Sequence, residues 1–588
     1  GPDAEGIWRS LGGEIQLAFC RLAIIDPTPA GTQPMVSADG RSALVLNGEI
    51  YNFRELRGQL ESLGHRFRSR ADSEVLLAAL TQWGRGALDR LNGMFAFAWY
   101  DGERRTLLLA RDHAGIKPLY WSRDPATGAV AFASQLDALR AAPWARAGAL
   151  RQDALHLYLR LHHLPAPYTL FENCWQLPPG HTLSVHADGP PQLERWWRLP
   201  ENPEPDLRGP AAADALASAL DGAVQRHRIA DVPLGVFLSG GVDSPLISAI
   251  AREQAGPGLQ AFTIANPGWA QDEGPDAERY ARALDVRFIE HRATGEEALA
   301  AVSAVREAQY EPFADFSIVP TLMVSKLARE RVTVALSGDG GDELFFGYER
   351  PASLLRNAGD WRLPWLARRL KVAIGSRFAS FGAPPSGAIA HRSPGAYYFA
   401  VNSRFAEADV RMVAPGLAGL PEDFHLYDPP PFRDPLALAN FSRRVEFEGQ
   451  LQRGLKKVDM ASMYHSLEVR TPMLDREVIE VSLRIDPFDN LREGQRKALL
   501  RDQLARHVPR EIIPAPKRGF AVPLGDWLRG SLRSTAEAAL SSPALFATGL
   551  FDRRGVERYW HRHLSGARDE KWGIWTLMSL AWWLERNG

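Results

Sequence analysis

GVFLSGGVDSPLISAI, residues 235–250, is the stretch that decides the fold of this chain. An apolar strand at residues 236–238 runs into Ser239 and two glycines, and a helix is predicted to begin directly after them. Asp243 or Ser244 is predicted to cap that helix. Glycines let backbone N–H groups approach an anion, and a helix N-terminus adds partial positive charge. The stretch therefore predicts an anion site, and it is not a Walker A loop because no lysine follows the glycines.

A second glycine-rich loop follows another apolar strand in TVALSGDGGDELFFGYER, residues 333–350. Loops at the carboxyl ends of parallel strands line one crevice, so loops 239–244 and 337–343 are predicted to face the same site. The second loop contributes the carboxylates of Asp339, Asp342 and Glu343. Carboxylates beside a triphosphate require a cation such as Mg²⁺. A helix-capping acidic loop is the alternative for residues 337–343 alone, but two such loops in one sheet favour a nucleotide site.

The chain changes its pattern near residue 200. Residues 1–140 carry period-two apolar runs and a hairpin signal in GMFAFAWYDGERRTLLLARD, which predicts an antiparallel α+β domain. Residues 141–209 are predicted to connect, with a proline-rich linker at their end. In residues 210–588 apolar strands alternate with helices and then give way to a mostly helical part. That pattern predicts an α/β domain with a parallel sheet.

Composition favours a globular protein without a nucleic-acid or membrane partner. The 588 residues are 45% hydrophobic and 24% charged, and 69 basic residues against 70 acidic ones leave a net charge of -1. The sequence has no block of one charge sign and no apolar run of membrane-spanning length. Its cysteines, Cys20 and Cys174, cannot form a disulfide framework, so a cytoplasmic location is expected. The oligomeric state stays open, with a homodimer as one alternative.

Motifs along nearly the whole chain resemble those of the glutamine-dependent asparagine synthetase family. In order they are RLAIIDPTPAGTQPM, LNGEIYNFRELR, RADSEVLL, GMFAFAWYD, ARDHAGIKPLY, VPLGVFLSGGVDS, EPFADFSIVPT, LSGDGGDELFFGYER, MYHSLEVRTPMLD and PAPKRGFAVPL. No single motif would suffice, but their number and order make the resemblance specific.

The resemblance implies two domains and a reaction. The first is a class II glutamine amidotransferase domain, an αββα sandwich of antiparallel sheets of the N-terminal nucleophile type. The second is an ATP-pyrophosphatase domain with a parallel sheet and a mostly helical C-terminal part. Together they imply an ATP- and Mg²⁺-dependent amidoligase that adenylates a carboxylate, with L-aspartate expected. Ammonia released from glutamine would reach the acyl-adenylate through an internal tunnel.

Site residues are carried over from the motifs. The resemblance implies that glutamine is bound by Arg21, Leu22, Ile24, Ile25, Asn47, Gly48, Glu49 and Asp72. Asn47 and Gly48 would form the oxyanion hole, where developing charge needs hydrogen-bond donors. Without the family pattern, Asn47-Gly48 is better explained as a hairpin turn, and Arg21 and Asp72 as surface ion-pair residues.

In the second domain the resemblance implies a nucleotide site, a metal site and two catalytic residues. ATP would be bound by Leu238, Ser239, Gly240, Gly241, Asp243, Ser244, Ile264, Ser337 and Gly338. Asp243 and Asp342 would hold Mg²⁺. Asp339 would act in adenylate formation and on the ammonia proton, and Lys517 would contact phosphate. Taken alone, Lys517 is better explained as a solvated surface lysine.

Several positions depart from the family pattern. The resemblance places a nucleophilic cysteine ahead of Gly1, and neither Cys20 nor Cys174 matches it. Cys20 is predicted to be a buried strand residue. Gln135 and Tyr310 occupy positions where acids are expected, and Asp339 replaces a glutamate of some relatives.

Three functional alternatives stand beside the amidoligase that uses glutamine and aspartate. A carboxylate other than aspartate, such as a uronic acid or a peptide carboxylate, is the rival acceptor within the family. A synthetase that uses only free ammonia is another alternative. A non-catalytic scaffold is the rival from a different class, and the intact loops at 239–244 and 337–343 argue against it.

Overall fold

The computed structural model describes residues 1–187, 189–265, 272–377, 387–429, 434–492, 494–513 and 523–587. Its strands are β1 Ala4–Arg9, β2 Gln16–Arg21, β3 Met35–Val36, β4 Ala43–Ile50, β5 Gly93–Asp101, β6 Thr106–Arg111, β7 Tyr120–Arg123, β8 Val130–Ala133, β9 Cys174–Gln176, β10 His181–His186, β11 Gln192–Arg195, β12 Leu234–Phe237, β13 Gln260–Ala265, β14 Arg287–Arg292, β15 Val334–Leu336 and β16 Glu468–Arg470.

The helices are α1 Phe53–Ser62, α2 Asp72–Trp83, α3 Leu136–Leu139, α4 Pro143–Arg146, α5 Gln152–Leu161, α6 Gly209–His227, α7 Asp243–Ala255, α8 Gly274–Leu284, α9 Gly295–Ala308, α10 Ile318–Arg329, α11 Gly341–Leu344, α12 Glu349–Arg356, α13 Trp365–Arg377, α14 Pro394–Asn402, α15 Glu407–Val413, α16 Pro435–Val445, α17 Leu451–Tyr464, α18 Arg476–Arg484, α19 Ala498–Leu504, α20 Leu524–Arg529, α21 Arg533–Leu540, α22 Pro543–Ala547, α23 Arg553–Leu564 and α24 Lys571–Asn587.

The N-terminal part is built on an antiparallel sheet with the strand order β11-β10-β6-β5-β4-β3. Successive residues of β4 point to opposite faces, so Leu44 and Leu46 pack under α1 and α2 while Ala43 and Val45 face the other core. That second core also contains side chains from β2 and from the loop between β6 and β7. Strands β10 and β11 lie in the region that was predicted to connect the domains, and they extend this sheet.

Two smaller sheets accompany the large one. Strands β1 and β2 form an antiparallel hairpin, and β7 pairs with both β8 and β9. The hairpin predicted around Asp-Gly is present, because β5 and β6 pair from Asp101 opposite Thr106 back to Ala96 opposite Arg111.

The second part contains a parallel sheet with the order β14-β13-β12-β15-β16. Val236 in the centre of β12 lies opposite Ala261 of β13 and Leu336 of β15. All three strands predicted from PLGVFLS, LQAFTIA and RVTVALS are therefore present and adjacent. Because β12 and β15 are neighbours, the loops that follow them emerge side by side.

The C-terminal part is helical, and it packs the largest apolar core of the described residues. Trp575 and Trp583 of α24 are fully buried in that core, which confirms core packing as the explanation for the tryptophan-rich end of the chain. The predicted fold class is thus confirmed, an antiparallel α+β part followed by a parallel α/β part with a helical end.

Hydrogen bonds join the two parts. His113, in the loop after β6, contacts the carbonyl oxygen of Leu474 through Nε2 at 3.0 Å. The Asn92 side chain donates to Asp475, and Gln452 donates to the carbonyl of Ala114. Among the described residues, no helix combines the length and the apolar character needed to cross a membrane.

Candidate active sites

The loop after β12 is arranged around two serines. Ser244 Oγ accepts a hydrogen bond from the backbone N–H of Ser239 at 3.0 Å, and the two hydroxyl oxygens lie 2.9 Å apart. Helix α7 begins at Asp243 with Val242 as its N-cap. The prediction that Asp243 or Ser244 caps the helix is therefore wrong, because Ser244 binds the preceding loop and Asp243 already belongs to the first turn.

The loop after β15 lies directly against the phosphate loop. A Cβ on Gly338 would lie 2.5 Å from the backbone nitrogen of Ser244, and one on Gly341 would lie 2.6 Å from Cγ of Asp243. Such distances leave no room for a side chain, so the glycines allow the close approach of the two backbones. The prediction that loops 239–244 and 337–343 face one site is confirmed.

A buried lysine joins the two predicted metal ligands. Lys497 Nζ contacts Asp243 Oδ2 and lies 2.5 Å from Asp342 Oδ1. The two carboxylates raise the pKa of Lys497 against the opposing effect of its burial. Sequence patterns did not indicate a role for Lys497. It lies in GQRKALL, more than 150 residues after both loops, and belongs to none of the motifs quoted above.

The same two carboxylates fit a magnesium ion. Asp243 and Asp342 come from separate loops, and both contact the Lys497 ammonium. The two carboxylates are therefore close enough to bind one positive charge together. Mg²⁺ is commonly held by one or two carboxylates, with phosphate oxygens and waters completing the octahedron. No cluster of three or more His, Cys, Asp or Glu side chains suited to a metal occurs in the described part of the chain. The donors present therefore suit an ion that arrives with a nucleotide.

Two further acids lie in this second loop. Asp339 Oδ2 accepts a hydrogen bond from the Ser337 hydroxyl at 2.7 Å. Glu343 is buried and accepts a hydrogen bond from the Tyr348 hydroxyl at 2.8 Å. Burial and the neighbouring Asp342 carboxylate raise the pKa of Glu343 to about 7. Glu343 can therefore gain or lose a proton near neutral pH.

A cavity of about 1000 Å³ collects the predicted nucleotide residues. Its lining contains every residue predicted to bind ATP, namely Leu238, Ser239, Gly240, Gly241, Asp243, Ser244, Ile264, Ser337 and Gly338. Asp339, Asp342 and Lys497 line it as well. Lys517 lies outside the described residues.

The predicted glutamine residues also converge, in the N-terminal part. Arg21 ends β2, Glu49 lies in β4 and Asp72 begins α2. The buried carboxylates of Asp26, Asp72 and Glu49 act electrostatically on Arg21, in decreasing order of effect. Arg21 and Asp72 are only 6% and 7% exposed, so their explanation as surface ion-pair residues is wrong.

Arg21 is held by backbone carbonyl groups. Its guanidinium donates to the carbonyl oxygens of Ile25, Asp26 and Thr28, which folds the loop after β2 around it. Ile24 and Ile25 are buried in the core under α1 and α2, and Leu22 packs against the same core. The apolar members of the predicted set thus support the loop that surrounds Arg21.

Asn47 and Gly48 lie inside strand β4, opposite Ala96 and Phe95 of β5. Their explanation as a hairpin turn is therefore wrong. Gly48 has φ of 128°, and a Cβ there would lie 2.0 Å from the carbonyl oxygen of Met94. Only glycine fits this backbone. The Asn47 side-chain nitrogen donates to the Ser134 hydroxyl at 3.2 Å.

Two buried acids of this site have raised pKa values. Asp72 accepts hydrogen bonds from the backbone N–H groups of Ile50 and Ser73, yet burial raises its pKa to about 6. Burial, followed by the charges of Asp72 and Glu468, raises the pKa of Glu49 well above its ordinary range. Arg470 of β16 lies 3.3 Å from Glu49 Oε1 and opposes that rise.

Comparison with known proteins decides the assignment of both parts. The asparagine synthase family matches residues 215–585, and the glutamine amidotransferase domain family matches residues 1–197. The chain belongs to the asparagine synthase family. A Mycobacterium tuberculosis H37Rv protein, provisionally named a glutamine-hydrolyzing asparagine synthetase, is 33% identical over 611 residues, which cover 99% of this chain and 91% of that protein.

Two further members of the asparagine synthase family show the same relationship. Glutamine-hydrolyzing asparagine synthetase 1 of Bacillus subtilis strain 168 is 28% identical over 596 residues, covering 100% of this chain and 92% of that protein. Glutamine-hydrolyzing asparagine synthetase 2 of Arabidopsis thaliana is 33% identical over 365 residues, covering 59% of this chain and 56% of that protein. The chain is therefore an amide-forming ligase with a glutamine amidotransferase domain.

The cysteines differ in their surroundings within this family member. Cys20 lies on β2 as predicted but is exposed, so its predicted burial is wrong, because its side chain points away from the core that receives Leu17. Cys174 is buried, and burial raises the pKa of its thiol to about 11. A thiol with so high a pKa is a poor nucleophile at neutral pH.

Two of the positions that depart from the family pattern take structural roles. Gln135 occupies the N-cap position of α3 without a capping hydrogen bond from its side chain, and the Tyr310 hydroxyl donates to Asp459 at 3.2 Å. The acid next to Tyr310, Glu311, is buried in contact with the Lys456 ammonium.

Proposed function

We propose that this chain is an ATP- and Mg²⁺-dependent amidoligase that converts L-aspartate to L-asparagine, with glutamine as the nitrogen donor. One observation carries the proposal. Loops 239–244 and 337–343 line one cavity, and they bring Asp243 and Asp342 into contact with the same ammonium group, that of Lys497. Membership of the asparagine synthase family supports the same reaction.

The proposed reaction has two steps. A carboxylate oxygen of aspartate attacks the α-phosphorus of ATP, and the bond to pyrophosphate breaks to give aspartyl-AMP. The nitrogen of ammonia then attacks the acyl carbon, AMP leaves and one proton is released. The backbone N–H groups of loop 239–244 would bind the phosphates, and Asp339 would receive the proton of the attacking ammonia.

Asp243 and Asp342 would hold the magnesium ion. When bound, that ion supplies positive charge that neutralises the phosphate oxygens as pyrophosphate leaves. Lys497, in contact with both carboxylates, would place a further positive charge beside the phosphates. Lys517 remains a predicted phosphate contact.

Glutamine would be bound in the N-terminal part by charge complementarity. Its α-carboxylate would face Arg21, and its α-ammonium would face Glu49 and Asp72. The Gly48 N–H and the Asn47 side chain would donate to the amide oxygen as negative charge develops on it.

Acceptor-dependent release of pyrophosphate tests the proposed reaction directly. With ATP, Mg²⁺ and ammonium chloride, we expect L-aspartate to stimulate pyrophosphate release by about a hundredfold or more over the rate without acceptor. Ammonium chloride makes the measurement independent of glutamine hydrolysis. Asparagine and AMP should form in amounts equal to pyrophosphate. Stimulation by a uronic acid but not by aspartate would instead favour the rival acceptor.

Glutamine binding is expected to release protons. The α-ammonium group would lower the pKa of Asp72, about 6 in the free protein, and that of Glu49. At about pH 6 we expect roughly half a proton to leave Asp72 on binding, falling towards zero at about pH 8, where Asp72 is already ionised. Calorimetric titration with L-glutamine in buffers of different ionisation enthalpy measures this number.

A matched pair of variants controls the proton measurement. Asp72→Asn should weaken glutamine binding and reduce the buffer dependence at about pH 6, leaving only the protons released from Glu49. Asp89→Asn changes an exposed aspartate of the same domain and should leave both unchanged. A binding enthalpy that does not vary with the buffer at pH 6 in the unaltered protein would contradict the assignment of Asp72.

A further inference from the structure

The nucleotide cavity continues beyond the phosphate loops to a region rich in positive charge. Arg404, Arg453 and Lys457 line this region together with Asp315 and Trp572. Arg453 and Lys457 are four residues apart on α17, so they lie on one face of that helix. All three cations lie close enough to Asp315 to interact with its carboxylate electrostatically.

That carboxylate contacts Ser317 and Arg453. Asp315 Oδ1 accepts hydrogen bonds from the backbone N–H and the hydroxyl of Ser317, at 3.0 and 2.7 Å. Its Oδ2 lies 3.1 Å from Nε of Arg453. The neighbouring cations hold the pKa of Asp315 below its ordinary range, against the effect of burial. Asp315 therefore pairs directly with Arg453, and it acts on Lys457 and Arg404 only electrostatically.

A histidine also contacts Arg453 and stays uncharged. Arg453 Nη1 lies 2.9 Å from Nε2 of His162, whose Nδ1 lies 3.1 Å from the carbonyl oxygen of Ala314. This arrangement fits a neutral ring that donates through Nδ1 and accepts through Nε2. Burial and then the charge of Arg453 keep the pKa of His162 well below its usual value.

Arg404 and Lys457 have no carboxylate partner among the described residues. Within the described ranges, no carboxylate oxygen lies within 4.0 Å of the charged groups of Arg404 or Lys457. Arg404 Nε is buried without a hydrogen-bond partner, and its guanidinium lies 5.1 Å from the ring centre of Trp572. Burial and the nearby Arg453 lower the pKa of Arg404 to about 10. These two positive charges line the cavity and are available to a bound anion.

We infer that Arg404 and Lys457 bind a second anionic group of the acceptor, and that they select dicarboxylate acceptors over monocarboxylates. The inference rests on the proposed function, because it assigns the far end of the same cavity to the acceptor. The phosphates have other donors, in the backbone of loop 239–244 and Lys497. The Arg404 guanidinium lies 5.1 Å from the ring centre of Trp572, and a guanidinium group can bind a carboxylate in a bidentate manner.

For L-aspartate, this second group is the α-carboxylate. β-Alanine and aspartic acid α-amide keep the reacting carboxylate and the amine but lack the α-carboxylate, so they isolate its contribution. We expect kcat/KM for pyrophosphate release to be about a hundredfold higher with aspartate than with either analogue. In an Arg404→Gln, Lys457→Gln variant the ratio should fall to about tenfold or less, while the KM for ATP stays unchanged.

Control variants and an unfolding measurement test whether a change in selectivity comes from Arg404 and Lys457 or from a general loss of structure. Arg411→Gln removes an exposed arginine of α15 outside the cavity lining and should leave the ratio unchanged. Lys457→Gln alone and Arg404→Lys should give intermediate ratios. The double variant removes uncompensated positive charge, so we expect it to fold, and its thermal unfolding curve checks this.

Calorimetric binding of aspartate and β-alanine in the presence of α,β-methylene ATP needs no turnover. Equal binding of the two, or a rise in the KM for ATP in the double variant instead of a loss of selectivity, overturns the inference and leaves the proposed function standing. Selective binding of aspartate without pyrophosphate release overturns the proposed function but keeps the anion site.

Discussion

Asp342→Asn should lower aspartate-dependent pyrophosphate release by about a thousandfold, and Asp243→Asn should have a similar effect. Each change removes one of the two carboxylates that would hold magnesium beside the phosphates. A thousandfold corresponds to about 4 kcal/mol of lost transition-state stabilisation, the scale expected for poorly neutralised phosphate charge. Pyrophosphate release under saturating ATP and aspartate measures the effect.

The fold is not expected to fail in either variant. Lys497 keeps one carboxylate partner when the other becomes an amide, so its ammonium is not left isolated. Raising the magnesium concentration should restore part of the activity, and a chelator should abolish the activity of the unaltered protein. Asp285→Asn is the control. Asp285 lies at the end of α8, where it is exposed and forms an ion pair with Arg252. Activity of Asp342→Asn near that of the control would contradict the magnesium assignment.

Arg470→Leu should lower the free energy of unfolding by about 3–5 kcal/mol. The Arg470 guanidinium is completely buried between Glu49 and Glu468. It also donates to the carbonyl oxygens of His227 and Ile229, so it joins β16 to the N-terminal domain and to the end of α6. Removing it leaves two buried carboxylates without their cation. Denaturant or thermal unfolding followed by circular dichroism measures the loss.

The loss should depend on pH with a definite sign. The pKa of Glu49 already lies above its ordinary value in the folded protein, and it rises further without Arg470. The folded state then holds a proton that the unfolded state releases, so stability falls as pH increases above the ordinary range of Glu49. The variant should therefore recover part of its stability at about pH 5 relative to about pH 8. A loss of equal size at both values would show that packing, and not the acid cluster, is responsible.

An exposed arginine provides the comparison. Arg484 forms an ion pair with Asp206 at the surface, with side chains 55% and 58% exposed. Arg484→Leu should change stability by less than about 1 kcal/mol, because solvent screens such pairs.

Local sequence patterns predicted the main elements of the fold well. Short apolar runs before glycines predicted β12 and β15, and an Asp-Gly turn predicted the β5–β6 hairpin, because backbone preferences and apolar periodicity act over a few residues. Local patterns gave wrong predictions where one short motif is compatible with two backbone structures. Asn47-Gly48 is a common turn dipeptide, yet here the glycine is required by the close approach of the Met94 carbonyl across two strands.

The sequence by itself determined the two-part architecture, the family, and the loops that carry the acids Asp243 and Asp342. Those features depend on contiguous motifs. Only the tertiary structure showed that Lys497 joins these acids, and that Arg404 and Lys457 line the same cavity with no carboxylate oxygen of the described residues within 4.0 Å of their charged groups. The physical reason is that charge compensation acts through space. A lysine or arginine has the same side chain wherever it occurs, and its environment is set by residues that folding brings beside it.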